Sequence, residues 1–257
     1  MQQPATPSAE ARDVTARDRH LLAACVRLLH MEGLVSYNGH VSLRVPGAEA
    51  FLIHSLVDSR AEIAPGQLLV VGFDGVVLEG SAELKPPSEY PIHAEIYRAR
   101  ADVGAVAHIH SESAIAFTLV EDVRLMAMRC DALDWASGVP IHADPTRIKS
   151  AAQGRALAAS LGNGDAVLMR AHGAVLTARS VIEVFKTCIQ FEENARAQVL
   201  ASRLGKPVPL TAAELDALRA SHPPEFRAHY ARKIWHYYVK KGERAGLIPE
   251  RWLEVLL

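Results

Sequence analysis

Two histidines one residue apart, His108 and His110, are the side chains in this sequence best placed for chemistry. They end an apolar run that begins at Val103, and its β-branched residues favour a strand. Because successive side chains of a strand point to opposite faces, the two imidazoles should lie on one face, a few ångström apart. Such a pair forms half of a metal site. The alternative is a chance pair with both rings in solvent.

Two further side chains can belong to the same site. His172 follows a β-rich run, and Gly173 after it allows the backbone to turn tightly. Three histidines leave one position open on a zinc-like ion, which distinguishes a catalytic site from a closed structural one. Glu89 begins the helical segment that precedes the strand of the histidine pair. Taken alone, His172 could equally be a turn histidine, and Glu89 a charge that favours the helix dipole.

His93 lies on the same predicted helix, four residues after Glu89. Its imidazole could be a further metal ligand. The interpretation we favour is a supporting role behind the ligands, by a hydrogen bond or by packing.

The elements that must position these residues alternate between strands and helices, which predicts one α/β domain around a central sheet. Ser88 is the predicted N-cap of a helix over residues 89–99, and Asp144 the predicted start of a helix that ends at Leu161. Residues 119–128 are a candidate extended segment.

The two ends of the chain differ from the centre. Residues 1–15 are predicted to be a disordered leader, because the first eleven are polar and contain proline and alanine. The domain is predicted to span residues 16–257. It includes a helical extension from about residue 211, where Thr211 and Glu214 form a capping box.

Composition narrows the class of protein. The 257 residues carry a formal net charge of −1, and 49% of them are hydrophobic, as in an ordinary globular protein. This balance argues against a nucleic-acid partner, and the apolar stretches are too short for a membrane span. The three cysteines are scattered, which favours small buried residues in a reducing, cytoplasmic compartment. They are Cys25, Cys130 and Cys188.

Four motifs, in this order, resemble the class II aldolase/adducin family. They are Gly39-His40-Val41-Ser42-Leu43-Arg44, Pro87-Ser88-Glu89 with His93 and Tyr97 after it, Ala107-His108-Ile109-His110, and Arg170-Ala171-His172-Gly173. The similarity extends from about Ala16 to Arg203. It implies an α/β/α sandwich with a mostly antiparallel central sheet, assembled as a C4 homotetramer with the active site between neighbouring subunits.

The resemblance also assigns roles. It implies that His108, His110 and His172 bind a divalent metal, typically zinc, with manganese, cobalt or iron as other candidates. It further implies that Glu89 is the catalytic acid/base. All four residues are present here, so we expect an enzyme.

The substrate-binding motifs depart from those of the family's sugar-phosphate aldolases. A phosphate needs free backbone N–H groups and hydroxyls in a tight nest. Leu56 and Val57 are bulky where that loop should offer threonine and glycine, and Pro87 replaces a hydroxyl. These departures argue against a phosphorylated substrate.

The Gly-His-Val-Ser variant resembles the family's decarboxylase branch, which includes enzymes of hydroxylated aromatic acids. Arg60 is a candidate anchor for a substrate carboxylate, because a guanidinium meets a carboxylate in a two-pronged fit. Its alternative is an exposed loop arginine. The candidate substrate contacts are His40, Ser42, Ser55, Arg60 and Ser88.

Three functional hypotheses follow. The first is a metal-dependent carbon–carbon lyase that decarboxylates a small hydroxylated aromatic or β-oxo carboxylic acid. The second is an aldolase or epimerase acting on an unphosphorylated hydroxy-carbonyl compound. The third is a non-catalytic, adducin-like binding protein. The aromatic-rich segment 226–252 could cover a neighbouring subunit's pocket or could pack in an ordinary core.

Overall fold

The computed structural model describes residues 14–81 and 83–257. The predicted leader lies outside the described residues except for positions 14 and 15. Within these ranges the chain forms eight α-helices, three short 3-10 helices and one eight-stranded sheet. The helices are α1 (Ala16–Met31), α2 (Pro91–Ala99), α3 (Glu112–Ala116), α4 (Ala151–Leu161), α5 (Val181–Leu204), α6 (Ala212–Ser221), α7 (Pro224–Arg244) and α8 (Leu253–Leu256). The strands are β1 (His40–Arg44), β2 (Ala50–Ile53), β3 (Leu69–Gly72), β4 (Val77–Glu79), β5 (Ala105–Ile109), β6 (Ile141–His142), β7 (Ala166–Met169) and β8 (Gly173–Ala178).

The sheet has the strand order β4-β3-β2-β1-β5-β8-β7-β6. Every neighbouring pair is antiparallel except β6 and β7, which are parallel. Hairpin connections build most of the antiparallel part, whereas the parallel pair needs the crossover through α4. The predicted α/β fold class with a mostly antiparallel sheet is confirmed.

Both faces of the sheet are covered. On β5, Ala105, Ala107 and Ile109 belong to the core shared with α1 and α5. Val106 belongs to the opposite core, shared with α2 and α4. The strand's two-residue period places the side chain of His108 on the α2 side.

Strands β1 and β5 lie at the middle of the sheet, and their register sets the surroundings of His108. His40 pairs directly with His108 across β1 and β5, and Ser42 pairs with Val106. On the other side of β5, His108 pairs with Val175 of β8. The centre of the sheet therefore carries two histidines side by side on one face.

The predicted start of the helix after Ser88 is wrong. Helix α2 begins at Pro91, and residues 88–90 form a turn in which the Tyr90 N–H donates to the Pro87 carbonyl at 2.9 Å. A proline has no N–H, so it suits the first helical position. Glu89 consequently lies in the turn before the helix.

The predicted start of the next long helix is also wrong. Asp144 does not begin a helix, because its carboxylate accepts the Thr146 N–H at 2.9 Å and closes a local turn. Helix α4 begins at Ala151, where Ser150 and Gln153 form a capping box. Residues 143–150 are therefore a loop.

The candidate extended segment 119–128 is not a strand of the sheet among the residues that the structure describes. Amide side chains of α5 hold its second half. Asn194 accepts from the Met128 N–H and donates to the Met126 carbonyl, at 2.9 and 2.8 Å. Gln198 accepts from the Met126 N–H at 2.9 Å. Helical side chains thus satisfy backbone groups that a strand would otherwise pair.

Of the C-terminal helices, α7 packs against α1 and α5, and α8 packs against α1. Trp235 and Trp252 are buried, and the Trp235 indole N–H donates to the Leu256 carbonyl at 3.0 Å. Core packing therefore accounts for these two aromatic residues, whereas Phe226 and Tyr237 are exposed. Across the ranges covered by the structure, none of the helices is both long and apolar enough to span a membrane.

Candidate active site

Three imidazoles converge beside the middle of the sheet. The Nε2 atoms of His108 and His110 are 3.0 Å apart. The ring of His172 lies 4.9 Å from that of His108 and 5.1 Å from that of His110, between centroids. One ring nitrogen from each residue lies within 4.8 Å of the other two, which is close enough to hold one ion.

Strand pairing brings His172 to this cluster. His172 occupies the turn between β7 and β8, just after Ala171, whose φ of 53° lies in the left-handed region. Gly173 then starts β8 against the end of β5. A Cβ atom at Gly173 would lie 2.3 Å from the Ile109 carbonyl oxygen and 3.3 Å from Cε1 of His108. Only glycine allows the two backbones to approach this closely.

Replacing Gly173 with alanine should therefore separate β5 from β8 and displace His108. We expect a loss of about 1–3 kcal/mol in the free energy of unfolding, as for other overpacked sites. Urea denaturation of the purified variant measures this loss. Gly66→Ala is the matched control, because its added Cβ would meet no described atom within 4 Å. Equal stability of the two variants would contradict the close-approach explanation.

Glu89 faces the cluster from the turn before α2. Its Oε2 lies 3.9 Å from Nε2 of His108 and 3.7 Å from Nε2 of His172. Its Oε1 accepts the backbone N–H of Ile148 at 3.2 Å. The carboxylate is therefore anchored through one oxygen and directed at the histidines through the other.

The histidine cluster fits a divalent metal. The Ala174 carbonyl lies 3.1 Å from Nδ1 of His108, so Nδ1–H donates there and the Nε2 lone pair is left for a ligand bond. Burial, and then His110 and His172, hold the pKa of His108 well below its usual range. Burial, His172 and Arg147 lower the pKa of His110 to about 4. Both imidazoles are thus neutral at pH 7, which is the form that binds a metal.

His93 does not touch the three clustered histidines. Its Nε2 lies 2.6 Å from Nδ1 of His40, and its Nδ1 lies 2.6 Å from the hydroxyl of Ser42. Its place is therefore behind His40, whose ring centroid is 5.0 Å from that of His108. Ser42 is fully buried among these residues and away from the cavity, so the position of its hydroxyl does not support a substrate contact.

A cavity opens in front of Glu89 and the histidines, and Arg60 is part of its wall. Arg60 is only 6% exposed, so the alternative of an exposed loop arginine is wrong. Its guanidinium donates to the backbone carbonyls of Gly39 at 3.2 Å and Asp58 at 2.6 Å. Among the described residues, no carboxylate lies within ion-pair distance of it. A buried cation of this kind suits an anionic ligand.

The other two predicted substrate contacts lie in different places. Ser88 is exposed and lines the cavity beside Glu89. Ser55 is fully buried, and its hydroxyl has no hydrogen-bond partner among the described residues. The same is true of Nε2 of the neighbouring His54. Of the five candidates, His40, Arg60 and Ser88 line the cavity.

Burial lowers the pKa of His54 to about 4, with the Arg60 charge acting in the same direction. The unfolded chain, with a histidine pKa of about 6.5, binds this proton more readily, so the His54 contribution to stability falls as pH drops from about 6.5 to 4. We expect the free energy of unfolding to decrease by roughly 2–3 kcal/mol through His54 between pH 7 and 4.5.

Urea denaturation at the two pH values measures this effect. His54→Gln should lose less stability on acidification than the parent. His236→Gln, at an exposed position, is the control and should behave like the parent. Parallel losses in all three proteins would show that His54 is not the group responsible.

Sequence reasoning missed Arg147. This residue lines the cavity and stands close enough to His110 to lower its pKa. The helix was predicted to start at Asp144, so Arg147 was assigned to a helix and was not considered as a cavity contact. The useful signal was Ser150 with Gln153, whose capping box marks the end of the loop before α4.

An α/β/α sandwich with clustered histidines at its central strands and a carboxylate beside them defines the class of this protein. The model of the family described as "Class II Aldolase and Adducin N-terminal domain" matches residues 20–199. The chain belongs to this family.

Individual relatives agree with this assignment. The 3,4-dihydroxyphthalate decarboxylase of Rhodococcus jostii is 28% identical over 224 residues, covering 82% of this chain and 88% of the relative. An aldolase II superfamily protein from Pseudomonas syringae has a TM-score of 0.78 at 24% identity, with 92% of this chain and 96% of that chain covered. The L-fuculose 1-phosphate aldolase of Glaciozyma antarctica PI12 has a TM-score of 0.73 at 21% identity, with coverages of 91% and 94%. The two solved structures show the fold alone.

Proposed function

We propose that this protein is a divalent-metal-dependent carbon–carbon lyase that decarboxylates a hydroxylated aromatic or β-oxo carboxylic acid. The observation that carries the proposal is the position of Glu89, 3.7–3.9 Å from two of three converging imidazoles. A binding protein without catalysis has no need of an anchored carboxylate beside a set of neutral nitrogen ligands. The non-catalytic alternative is therefore disfavoured.

His108, His110 and His172 would hold the metal. A divalent ion bound there supplies a Lewis acid that stabilises negative charge on a substrate oxygen. Imidazole ligands suit zinc and also iron and other transition metals, and zinc is the ion we propose.

Glu89 would move the proton. Its free oxygen takes the proton of the substrate hydroxyl when a hydroxylated aromatic acid binds; with a β-oxo acid, which has no such hydroxyl, it would take its proton from water. When the carbon–carbon bond breaks, the electron pair stays on the substrate carbon and carbon dioxide leaves. Glu89 then returns its proton to that carbon, and the product oxygen takes a proton from water on release. The backbone N–H of Ile148 keeps the carboxylate in place throughout.

The cavity wall supports an acid as the substrate. Arg60 offers a buried guanidinium without a carboxylate partner in the described residues, as an acidic substrate requires. Leu56 and Val57 are exposed where a phosphate would need a nest of small residues, and Leu56 lines the cavity. The name of the Rhodococcus jostii relative, a decarboxylase of a hydroxylated aromatic acid, agrees with this choice.

Assembly and compartment belong to the same proposal. We propose a homotetramer with the active site between subunits, on the family resemblance, and a cytoplasmic location. The three cysteines are free thiols, which supports a reducing compartment. An aldolase on an unphosphorylated hydroxy-carbonyl compound is the competing activity, since the same residues could protonate an enediolate.

A substrate panel tests the proposal. The zinc-loaded protein is incubated with 2-hydroxybenzoate, 3,4-dihydroxyphthalate, β-oxo acids, and free and phosphorylated aldols, and both carbon dioxide and aldehyde are measured. We expect carbon dioxide from a hydroxylated or β-oxo acid, only with metal present. Release of aldehyde without carbon dioxide would replace the decarboxylase with an aldolase. Absence of both products, in a protein that retains metal, would contradict the proposed lyase on this panel.

A further inference from the structure

Four buried side chains form a hydrogen-bonded row behind the cavity. Nδ1 of His40 lies 2.6 Å from Nε2 of His93, and Nδ1 of His93 lies 2.6 Å from Oγ of Ser42. Oγ of Ser42 lies 2.8 Å from the hydroxyl of Tyr97. All four residues are at most 4% exposed. We call this row the His40 relay.

The His40 relay opens to the cavity at one end only. His40 lines the cavity, and its second ring nitrogen, Nε2, has no hydrogen-bond partner among the described residues. At the far end Tyr97 is 1% exposed, with the Arg44 guanidinium 4.7 Å from its ring centroid. A proton that entered at His40 would therefore find no exit to water. The row can orient protons, but it cannot carry one away.

The hydrogen bonds of such a row run in one direction if every buried proton is to have an acceptor, because a Ser42 oxygen that accepted from both neighbours would leave its own proton unpaired. Each neutral imidazole has one N–H and one lone pair, so the donor at one nitrogen decides the other. If the donors run inward, from His40 towards Tyr97, the Tyr97 O–H has only the Gly104 carbonyl as its acceptor. That oxygen is 3.5 Å away, at the limit of a hydrogen bond. If the donors run outward, from Tyr97 towards His40, the Tyr97 O–H donates to the Ser42 hydroxyl at 2.8 Å. Because a buried donor without an acceptor is costly, the outward direction is favoured.

The outward direction determines what His40 presents to the cavity. Tyr97 donates to Ser42, Ser42 donates to Nδ1 of His93, and Nε2–H of His93 donates to Nδ1 of His40. The proton of His40 then lies on Nε2. A carboxylate oxygen of Glu89 lies within 4.8 Å of a ring nitrogen of His40, and a carboxylate only accepts hydrogen bonds. A proton on the cavity side of His40 is compatible with this neighbour.

We propose that the His40 relay fixes the proton of His40 on Nε2, so that His40 donates a hydrogen bond to an acceptor oxygen of the substrate. His93, Ser42 and Tyr97 are positioning residues that act through His40. The inference deepens the proposed function and rests on it for the substrate, because carboxylate and phenolate oxygens are acceptors. A substrate hydroxyl that keeps its proton could also accept this hydrogen bond, but more weakly than an anionic oxygen.

Nitrogen NMR tests the position of the proton directly. In the zinc-loaded, ¹⁵N-histidine-labelled protein, long-range ¹H–¹⁵N correlations distinguish an Nδ1–H from an Nε2–H imidazole, and comparison with His40→Gln assigns the His40 signals. We expect the Nε2–H form for His40 and for His93. An Nδ1–H form of His40, or a ring protonated on both nitrogens, would overturn the proposal.

Two variants test whether the relay controls this proton. Ser42→Ala breaks the row and should convert His40 from a single form to a mixture of both forms. Ser160→Ala is the control, because it removes the hydroxyl partner of another buried histidine, His142, at 3.0 Å. It should leave His40 unchanged. A His40 signal that is the same in Ser42→Ala as in the parent would show that the row does not position it.

Affinity for 2-hydroxybenzoate gives a second readout. Glutamine at position 93 can still donate to His40 and accept from Ser42, whereas leucine can do neither. We expect His93→Leu to weaken binding roughly 10- to 100-fold, as for a lost hydrogen bond to a charged group, and His93→Gln to restore most of it. Equal weakening in both variants would indicate a packing role only. The NMR readout needs no turnover, so an Nε2–H form in a protein that releases no carbon dioxide would contradict the proposed function alone.

Discussion

Replacing Glu89 with glutamine should reduce turnover by roughly two to four orders of magnitude while zinc content stays the same. The amide oxygen can still accept the Ile148 N–H, now 3.2 Å from Oε1, so the side chain should keep its place. The amide cannot take or return a proton under these conditions. The loss should therefore appear in kcat rather than in metal binding or in the free energy of unfolding.

Carbon dioxide release under saturating substrate, with metal content measured on the same sample, checks this expectation. Glu254→Gln, at an exposed position in α8, removes one carboxylate far from the site in sequence and should behave like the parent. Turnover of Glu89→Gln at the parental rate would remove Glu89 from the mechanism. A loss of zinc together with activity would instead make Glu89 a ligand.

The second large effect is expected at His172. This residue lies in a turn and is partly exposed, so His172→Ala should fold, whereas a substitution at the fully buried His108 puts folding itself at risk. Removing a ligand should weaken zinc binding by more than the roughly 10- to 100-fold that loss of an outer contact costs. Turnover should fall with it.

Zinc per chain after dialysis, measured by elemental analysis, is the readout that does not depend on the substrate. His236→Ala is the matched control, since it removes an exposed histidine of α7. Full zinc retention in His172→Ala would mean that the ion binds elsewhere, and the second cluster, of His40, Glu89 and His108, would then be the first place to look.

The parts of the site that follow a strand period could be predicted from the sequence. His108 and His110 are two residues apart, so their shared face follows from backbone geometry alone. The convergence of His172 could not be predicted in that way, because it depends on the antiparallel pairing of β5 with β8 across more than sixty residues of sequence, as in the Ile109–Ala174 pair. The sequence named His172 only as a possible member of the site, and the family resemblance strengthened that choice.

The contacts made by loops were the least predictable. Arg60 was predicted to anchor a substrate carboxylate and lies in the cavity wall, but its burial depends on carbonyls of Gly39 and Asp58 that no local pattern reveals. Arg147 was missed because a local Asx turn at Asp144 resembled a helix start. The contact of His93 with His40 could not be predicted either, because it joins α2 to β1 across more than fifty residues of sequence.

The central position of β1 and β5 also means that the two ends of the site should open at different rates. His108 sits in a strand that is hydrogen-bonded on both sides, so its backbone should open only with global unfolding, whereas Arg60 and Arg147 stand in loops that open at a much lower free energy. Amide hydrogen exchange should consequently be much slower at His108 than at Arg60 and Arg147. The loop end can fluctuate to admit and release small molecules while the strand that carries His108 stays paired, so exchange of substrate does not require the centre of the sheet to open.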